Sequence, residues 1–167
     1  MNQIWCIIGR FQPLHKGHCL LIQKSLEDND RTYIFVGSAE TINRYNPYSF
    51  EIRKHIISTN FPKSSVEIFS LPDFETDELW LKNILQHLPN NVEELTFYCW
   101  DQIHDSAIIS IKALSKSIPY QVHIVEIPRS IIPISATEIR DAILNNDSQT
   151  LDDYVSPKTI KILKNNS

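Results

Sequence analysis

Residues Ile4 to Ile8 form an unbroken apolar run that stops at Gly9, the pattern of a strand buried on both faces within a parallel sheet. From Gly17 to Leu26 the apolar residues Cys19, Leu20, Ile22 and Leu26 recur at mostly helical spacing. Thr32 to Val36 then returns to a β-branched and aromatic run ending at Gly37. Strand, helix and strand in such quick succession predict a βαβ unit at the start of the chain.

The alternation continues. Ser49 is placed to cap a helix carrying Ile52, Ile56 and Ile57 that must end before Pro62, and Val66 to Leu71 reads as the next strand. Thr76, with Asp77 and Glu78 in the first turn, opens a helix predicted to reach Leu88, and Leu95 to Cys99 is another strand. A helix over Ser106 to Ser117 and a strand over Val122 to Ile127 follow. Ser135-Ala136-Thr137-Glu138 has the form of a capping box ahead of a helix with Ile139, Ala142 and Ile143, and Ser156-Pro157 supplies the N-cap and first-turn proline of a last helix through Ile160 and Leu163. This order predicts an α/β fold: a Rossmann-like, open, mainly parallel sheet with helices on both faces. No repeat, low-complexity linker or composition break interrupts residues 1–167, so a single domain is predicted.

Composition narrows the classes of function. The chain has 16 basic and 20 acidic residues, a net charge of −4, which argues against a dominantly electrostatic nucleic-acid or membrane partner and makes any phosphate site a local feature. No apolar run approaches the roughly 18 to 20 residues needed to cross a bilayer. Met1-Asn2-Gln3 lacks the basic-then-apolar start of a secretory signal, so a cytoplasmic location is expected. Cys6, Cys19 and Cys99 are odd in number and far apart, which predicts reduced thiols packed as small apolar groups. Glycine is scarce: Gly9, Gly17 and Gly37 are the only three, all near the N-terminus. They are expected where the backbone approaches a ligand or takes positive φ.

The stretch Gly9-Arg10-Phe11-Gln12-Pro13-Leu14-His15-Lys16-Gly17-His18 lies between the first strand and its helix, where open α/β sheets bind ligands. The helix N-terminus there presents free N–H groups and a partial positive charge, and His15, Lys16 and His18 add side-chain donors. The spacing is neither Gly-x-Gly-x-x-Gly nor a P-loop, which removes the main warrant for a dehydrogenase or P-loop NTPase. Two histidines three apart suit metal binding, but no further Cys/His cluster completes a tetrahedral set. Taken alone, they also fit a bland role in capping and filling space.

This string resembles the His-x-Gly-His signature of the nucleotidylyltransferase superfamily, and its longer form looks like the archaeal-type nicotinamide mononucleotide (NMN) adenylyltransferases. Four further segments agree in order: Gly37-Ser38-Ala39-Glu40 with Asn46-Pro47-Tyr48-Ser49-Phe50-Glu51-Ile52-Arg53; Leu71-Pro72 with Glu78-Leu79-Trp80; Ile134-Ser135-Ala136-Thr137-Glu138-Ile139-Arg140; and the closing Leu151 to Leu163. The resemblance spans nearly the whole chain. It implies transfer of AMP from ATP, accompanied by Mg²⁺, to NMN, with NAD and pyrophosphate as products. It also implies that His15, His18 and Arg140 act on the triphosphate, with Gly9, Arg10, Phe11, Lys16, Gly17, Ser135 and Thr137 around ATP. Trp80 would stack on the nicotinamide ring, a cation well matched to indole. Asp77, Ser38 and Arg44 would complete the NMN side, with Arg53 as a second candidate for its phosphate. A homo-oligomer is compatible with the resemblance.

The chain departs from the family pattern in two places. Asp77 stands where Asn is usual, which predicts preference for the amide of NMN over the carboxylate of nicotinate mononucleotide. Trp100 and Asp101 stand where the family has a small residue and Asn, so either Trp100 stacks in place of a backbone contact or the acceptor differs. Competing readings are another acceptor for the same chemistry (nicotinate mononucleotide, phosphopantetheine or FMN) and a non-catalytic nucleotide- or NAD-sensing module.

Overall fold

The computed structural model describes residues 2–166. Five strands, β1 (Gln3–Gly9), β2 (Thr32–Gly37), β3 (Val66–Leu71), β4 (Glu94–Cys99) and β5 (Gln121–Glu126), form one sheet in the order β3-β2-β1-β4-β5. Every pairing is parallel. The chain winds outward from β1 through β2 to β3, then returns to place β4 on the other side of β1. The strand order therefore reverses between β1 and β4, and at that point an open sheet leaves a crevice beyond the strands' carboxyl ends.

Side-chain alternation divides the core between two faces. On one face Ile7, Ile34 and Val36 pack with Leu21 and Ile22 of α1 (Lys16–Asp28), Ile56 and Ile57 of α2 (Phe50–Asn60) and Ile162 and Leu163 near the C-terminus. On the other, Cys6, Phe35 and Phe97 pack with Leu81 and Ile84 of α3 (Asp77–Leu85) and Ile108 and Ile111 of α4 (Ser106–Ala113). A smaller cluster of Ile134, Ile139 and Val155 joins α5 (Ala136–Leu144) to α6 (Ser148–Tyr154), and α7 (Pro157–Asn165) closes the described chain against α2. None of these helices is long and apolar enough to cross a membrane. The three cysteines are free, and Cys6 and Cys99 are buried.

The caps read from the sequence are present. The hydroxyls of Ser49, Thr76 and Ser156 accept from the N–H groups of Ile52, Leu79 and Thr159, and Ser135 and Glu138 form a reciprocal capping box. Two helices end earlier than expected, and one helix is additional. The helix expected to reach Leu88 ends at Leu85, because His87 and Leu88 donate three residues back, to Ile84 and Leu85, and tighten the chain ahead of Pro89. The helix expected to Ser117 ends at Ala113 and continues as a single 3₁₀ turn, Ser115–Ser117. The short helix α6 has no counterpart in the sequence reading: Asn146 turns the chain at φ 54° and Asp147 caps the new helix through the Thr150 N–H.

Candidate active site

The crevice is occupied by the loop that follows β1. His15 is the N-cap of α1: its Nδ1 accepts from the Gly17 N–H at 3.1 Å, so a neutral ring carries its proton on Nε2. His18, one turn on, lies against His15 with ring centroids 3.9 Å apart and against Phe11 at 4.7 Å. Its Nδ1 is enclosed without a hydrogen-bond partner among the described residues. Burial pushes the His15 pKa down to about 4, aided by the charge of Arg129 and opposed by Glu138. His18 is held well below its ordinary value by burial, then by His15 and Arg129. Both rings are therefore neutral N–H donors at pH 7, and a bound phosphate would favour their protonation.

The His15 shift has a consequence for stability. Its folded pKa of about 4 lies below the ordinary 6.5, so the unfolded chain takes up the proton first. The contribution of neutral His15 is complete above pH 6.5 and is lost as pH falls from there toward 4. Its size is about 3 kcal/mol, at about 1.4 kcal/mol for each pKa unit. Urea denaturation at pH 7, 6 and 5 is expected to show falling stability. In His15→Asn, which keeps an N-cap acceptor, the decline becomes shallower; an equal slope in the variant would remove His15 as the cause.

The loop is held from three sides. Gln12 exchanges hydrogen bonds with the Tyr48 backbone, at 2.9 and 3.0 Å. Arg140 on α5 donates to the Gln12 carbonyl at 2.8 Å and to Thr137 Oγ1 at 3.1 Å. Arg53 is fully buried and donates to the carbonyls of Arg10 (2.8 Å), Gly37 (2.7 Å) and Ser38 (3.1 Å), with a longer contact to Ala39. Arg53 thus ties the β1 and β2 loops together. It is not available to a substrate phosphate, which corrects the expectation from sequence.

Two adjoining cavities flank the histidines. The larger, about 590 Å³, opens at the ends of β1 and β4 and is lined by Gly9, Arg10, Phe11, His18 and Ser38, and by Asp77 and Trp80 of α3. The smaller, about 220 Å³, lies toward α5 and is lined by Arg10, Phe11, His15, His18, Ser135, Thr137 and Arg140. Asp77 Oδ2 accepts from the Ser110 hydroxyl at 2.7 Å, and the Ser38 hydroxyl donates to Asp73 at 3.0 Å. Trp100 borders both cavities.

Two predicted cations are elsewhere. Lys16 is exposed and lines neither cavity. Arg44 is also exposed, with its guanidinium carbon 4.4 Å from the Tyr45 ring centroid, outside both cavities. Of the two roles expected of the glycines, the positive-φ one is not taken, whereas Gly9 and Gly37 do line the larger cavity. None has positive φ; that conformation falls on Phe11 (51°) and Ser38 (45°). Gly17 makes room for side chains instead: a Cβ there would lie 2.8 Å from His15 Cε1 and 3.3 Å from Trp100 Cζ2.

The profile of the cytidylyltransferase-like family matches residues 6–142, a span that includes both histidines, both cavities' main walls and Arg140. The chain belongs to that family. Within 82 residues this cytidylyltransferase-like chain is 33% identical to the nicotinamide-nucleotide adenylyltransferase of Thermoplasma acidophilum, over 47% of this chain and 46% of the relative. It is 23% identical over 163 residues to the enzyme of the same name from Thermococcus sibiricus, covering 94% of this chain and 81% of that one. A bifunctional NMN adenylyltransferase/ADP ribose pyrophosphatase from Francisella tularensis superposes with a TM-score of 0.67 at 28% identity, over 87% of this chain and 43% of the other. The matched region is about half the length of the Thermoplasma relative and less than half of the Francisella protein.

Sequence reasoning missed three contributors to the site of this cytidylyltransferase-like chain. Asp73 fixes the β2 loop by accepting from Ser38 and from Thr41 at 2.8 Å. Gln12 anchors the histidine loop to the segment before α2. Arg129 follows β5 and lines both cavities. Its place just past a strand's carboxyl end was the available signal, since that is where this class of sheet places ligand-binding groups.

Proposed function

We propose that this protein transfers the adenylyl group of ATP to NMN, forming NAD and releasing pyrophosphate. The observation that carries the reading is the pair of neutral histidines at the N-terminus of α1, His15 buried and His18 half-buried, set between two cavities. One cavity is furnished with Arg140 and the α5 N-terminus, the other with Trp80 and Asp77. The names of the Thermoplasma, Thermococcus and Francisella relatives support it.

The chemistry suits the groups present. An oxygen of the acceptor's phosphate, already ionised at neutral pH, bonds to the α-phosphorus of ATP. The bond from that phosphorus to the β-bridging oxygen breaks, and pyrophosphate leaves with the electron pair. No proton has to move, so catalysis reduces to alignment and stabilisation of charge growing on the leaving side. His15 Nε2–H, His18, Arg140 and the first N–H groups of α1 supply donors there. ATP would enter with Mg²⁺ on its phosphates, because Mg²⁺ dehydrates reluctantly and keeps phosphate and water ligands.

Asp77 sets the acceptor. One of its oxygens is taken by Ser110, leaving the other to accept from a carboxamide NH₂ near Trp80, whereas a carboxylate in that position is repelled. Purified protein is incubated with ATP, Mg²⁺ and, separately, NMN, nicotinate mononucleotide, phosphopantetheine or FMN, with pyrophosphate release and product mass as readouts. NAD formation with kcat/KM at least about tenfold above that for nicotinate mononucleotide is expected, a difference of about 1.4 kcal/mol. Asp77→Asn narrows the ratio. Product only from phosphopantetheine or FMN would reassign the larger cavity, and nucleotide binding without turnover would favour a sensing module.

A further inference from the structure

Arg129 begins a single 3₁₀ turn, Arg129–Ile131, just past β5, and its side chain borders both cavities. Most other arginines near the histidines already have protein partners: Arg140 is bonded to Gln12 and Thr137, and Arg53 to loop carbonyls. Arg10 reaches Asn46 at 3.5 Å, the limit of a hydrogen bond. The Arg129 guanidinium, by contrast, forms no hydrogen bond or ion pair among the described residues. Its charge is nevertheless felt on both sides of the junction, by His15 and Glu138 toward the smaller cavity and by Asp105, at the start of α4, toward the larger.

Building on the adenylyl-transfer reading, we infer that Arg129 is a further catalytic residue, whose guanidinium holds the α-phosphate of ATP and the attacking acceptor phosphate together where the two cavities meet. The transfer requires two anionic phosphates to approach bonding distance. A cation between them offsets their repulsion, and the planar fork of arginine can donate to an oxygen of each at once. As the new P–O bond forms and the bond to pyrophosphate breaks, the charge on the transferred group stays beside the same fork. An uncommitted, exposed guanidinium suits this role because it gives up no protein contact when the phosphates arrive.

The test compares the parent protein with Arg129→Ala and Arg129→Lys. Neither variant removes an internal bond, so melting temperatures are expected to stay with the parent. With ATP and NMN, the kcat of Arg129→Ala falls by about 100-fold or more, the loss typical of one transition-state donor. The KM values for ATP and NMN each stay within about threefold, because the group acts where both phosphates are present. NAD, whose two phosphates would span the junction, binds the alanine variant at least about tenfold more weakly by calorimetry, and lysine restores part of both losses. A kcat within about threefold of the parent, or a rise in one KM alone, overturns the inference. A parent protein that turns over no acceptor overturns the transfer reading and this inference with it.

Discussion

Replacing His18 by leucine is expected to leave a protein that folds at least as stably as the parent but transfers adenylyl groups about 100- to 1,000-fold more slowly. The two halves of this result have one physical source. His18 presents a buried Nδ1 with no partner, and such an atom costs about 1–3 kcal/mol in the folded state. Leucine has a similar volume, fits against Phe11 and His15, and carries no polar atom to satisfy. Stability therefore holds or rises. Activity falls because leucine has no N–H to offer the triphosphate. Urea denaturation and single-turnover kinetics on the same preparation separate the two effects. A variant that turns over near the parent rate removes His18 from the mechanism, whatever its stability. Arg140→Ala shares the kinetic loss but weakens the fold as well, since its guanidinium also ties α5 to the Gln12 carbonyl.

The surroundings that keep the histidine pair neutral also ready it for a phosphate. His15 is buried, His18 is half-buried and both rings are neutral, and desolvation disfavours their charged forms until a phosphate provides the counter-charge. An unpartnered polar atom and a depressed pKa at the mouth of a helix are otherwise hard to account for in a core this well packed.

How much of this was legible in the sequence follows from the range of the interactions involved. Strands β1, β2 and β4 were readable because the middle of the sheet writes apolar, aromatic or β-branched runs (Ile4 to Ile8, Thr32 to Val36, Leu95 to Cys99), the edge strand β3 because Val66, Ile68, Phe69 and Leu71 keep that character around Glu67 and Ser70, and the caps because Ser49, Thr76, Ser135 and Ser156 act on N–H groups within three residues. Helix α6 was not, being seven residues long, without a buried residue of its own and without glycine or proline to mark its start. The histidine motif and Arg140 were found through resemblance, whereas the partner that fixes Arg140, the carbonyl of Gln12, lies 128 residues away. Arg129 sits past β5 in a segment with no periodicity, and Arg44 and Lys16 had the right charge but line neither cavity. The expectation of positive φ at the glycines misled for a related reason. Gly17 is small to admit the rings of His15 and Trp100, a constraint set by neighbours in space.

Arg53→Met is expected to lower unfolding stability by at least about 3 kcal/mol, the range for removing the charged partner of a buried polar cluster. Arg53 is 0% exposed, and its guanidinium serves carbonyls from Arg10, Gly37, Ser38 and Ser49, with Ala39 at the hydrogen-bond limit. Burial lowers its pKa to about 10, with Arg10 adding to the shift and Asp73 opposing it, so it remains charged at neutral pH. Two of its acceptors immediately precede Phe11 and Ser38, the residues at positive φ that shape both walls of the larger cavity. Such conformations in non-glycine residues cost about 1–3 kcal/mol each and persist only where surrounding bonds over-determine them. Without the clamp, those carbonyls face a buried apolar side chain and both loops are free to relax. Activity is therefore expected to fall with stability even where the variant remains folded, although Arg53 touches no substrate. Arg53→Lys keeps the charge, but its single ammonium cannot reach both loops with the geometry of a fork, and it should lie between parent and methionine variant. Equilibrium urea denaturation decides the matter: a loss below about 1 kcal/mol for Arg53→Met would mean that water or the backbone takes over the carbonyls, and that the clamp does not hold the site open.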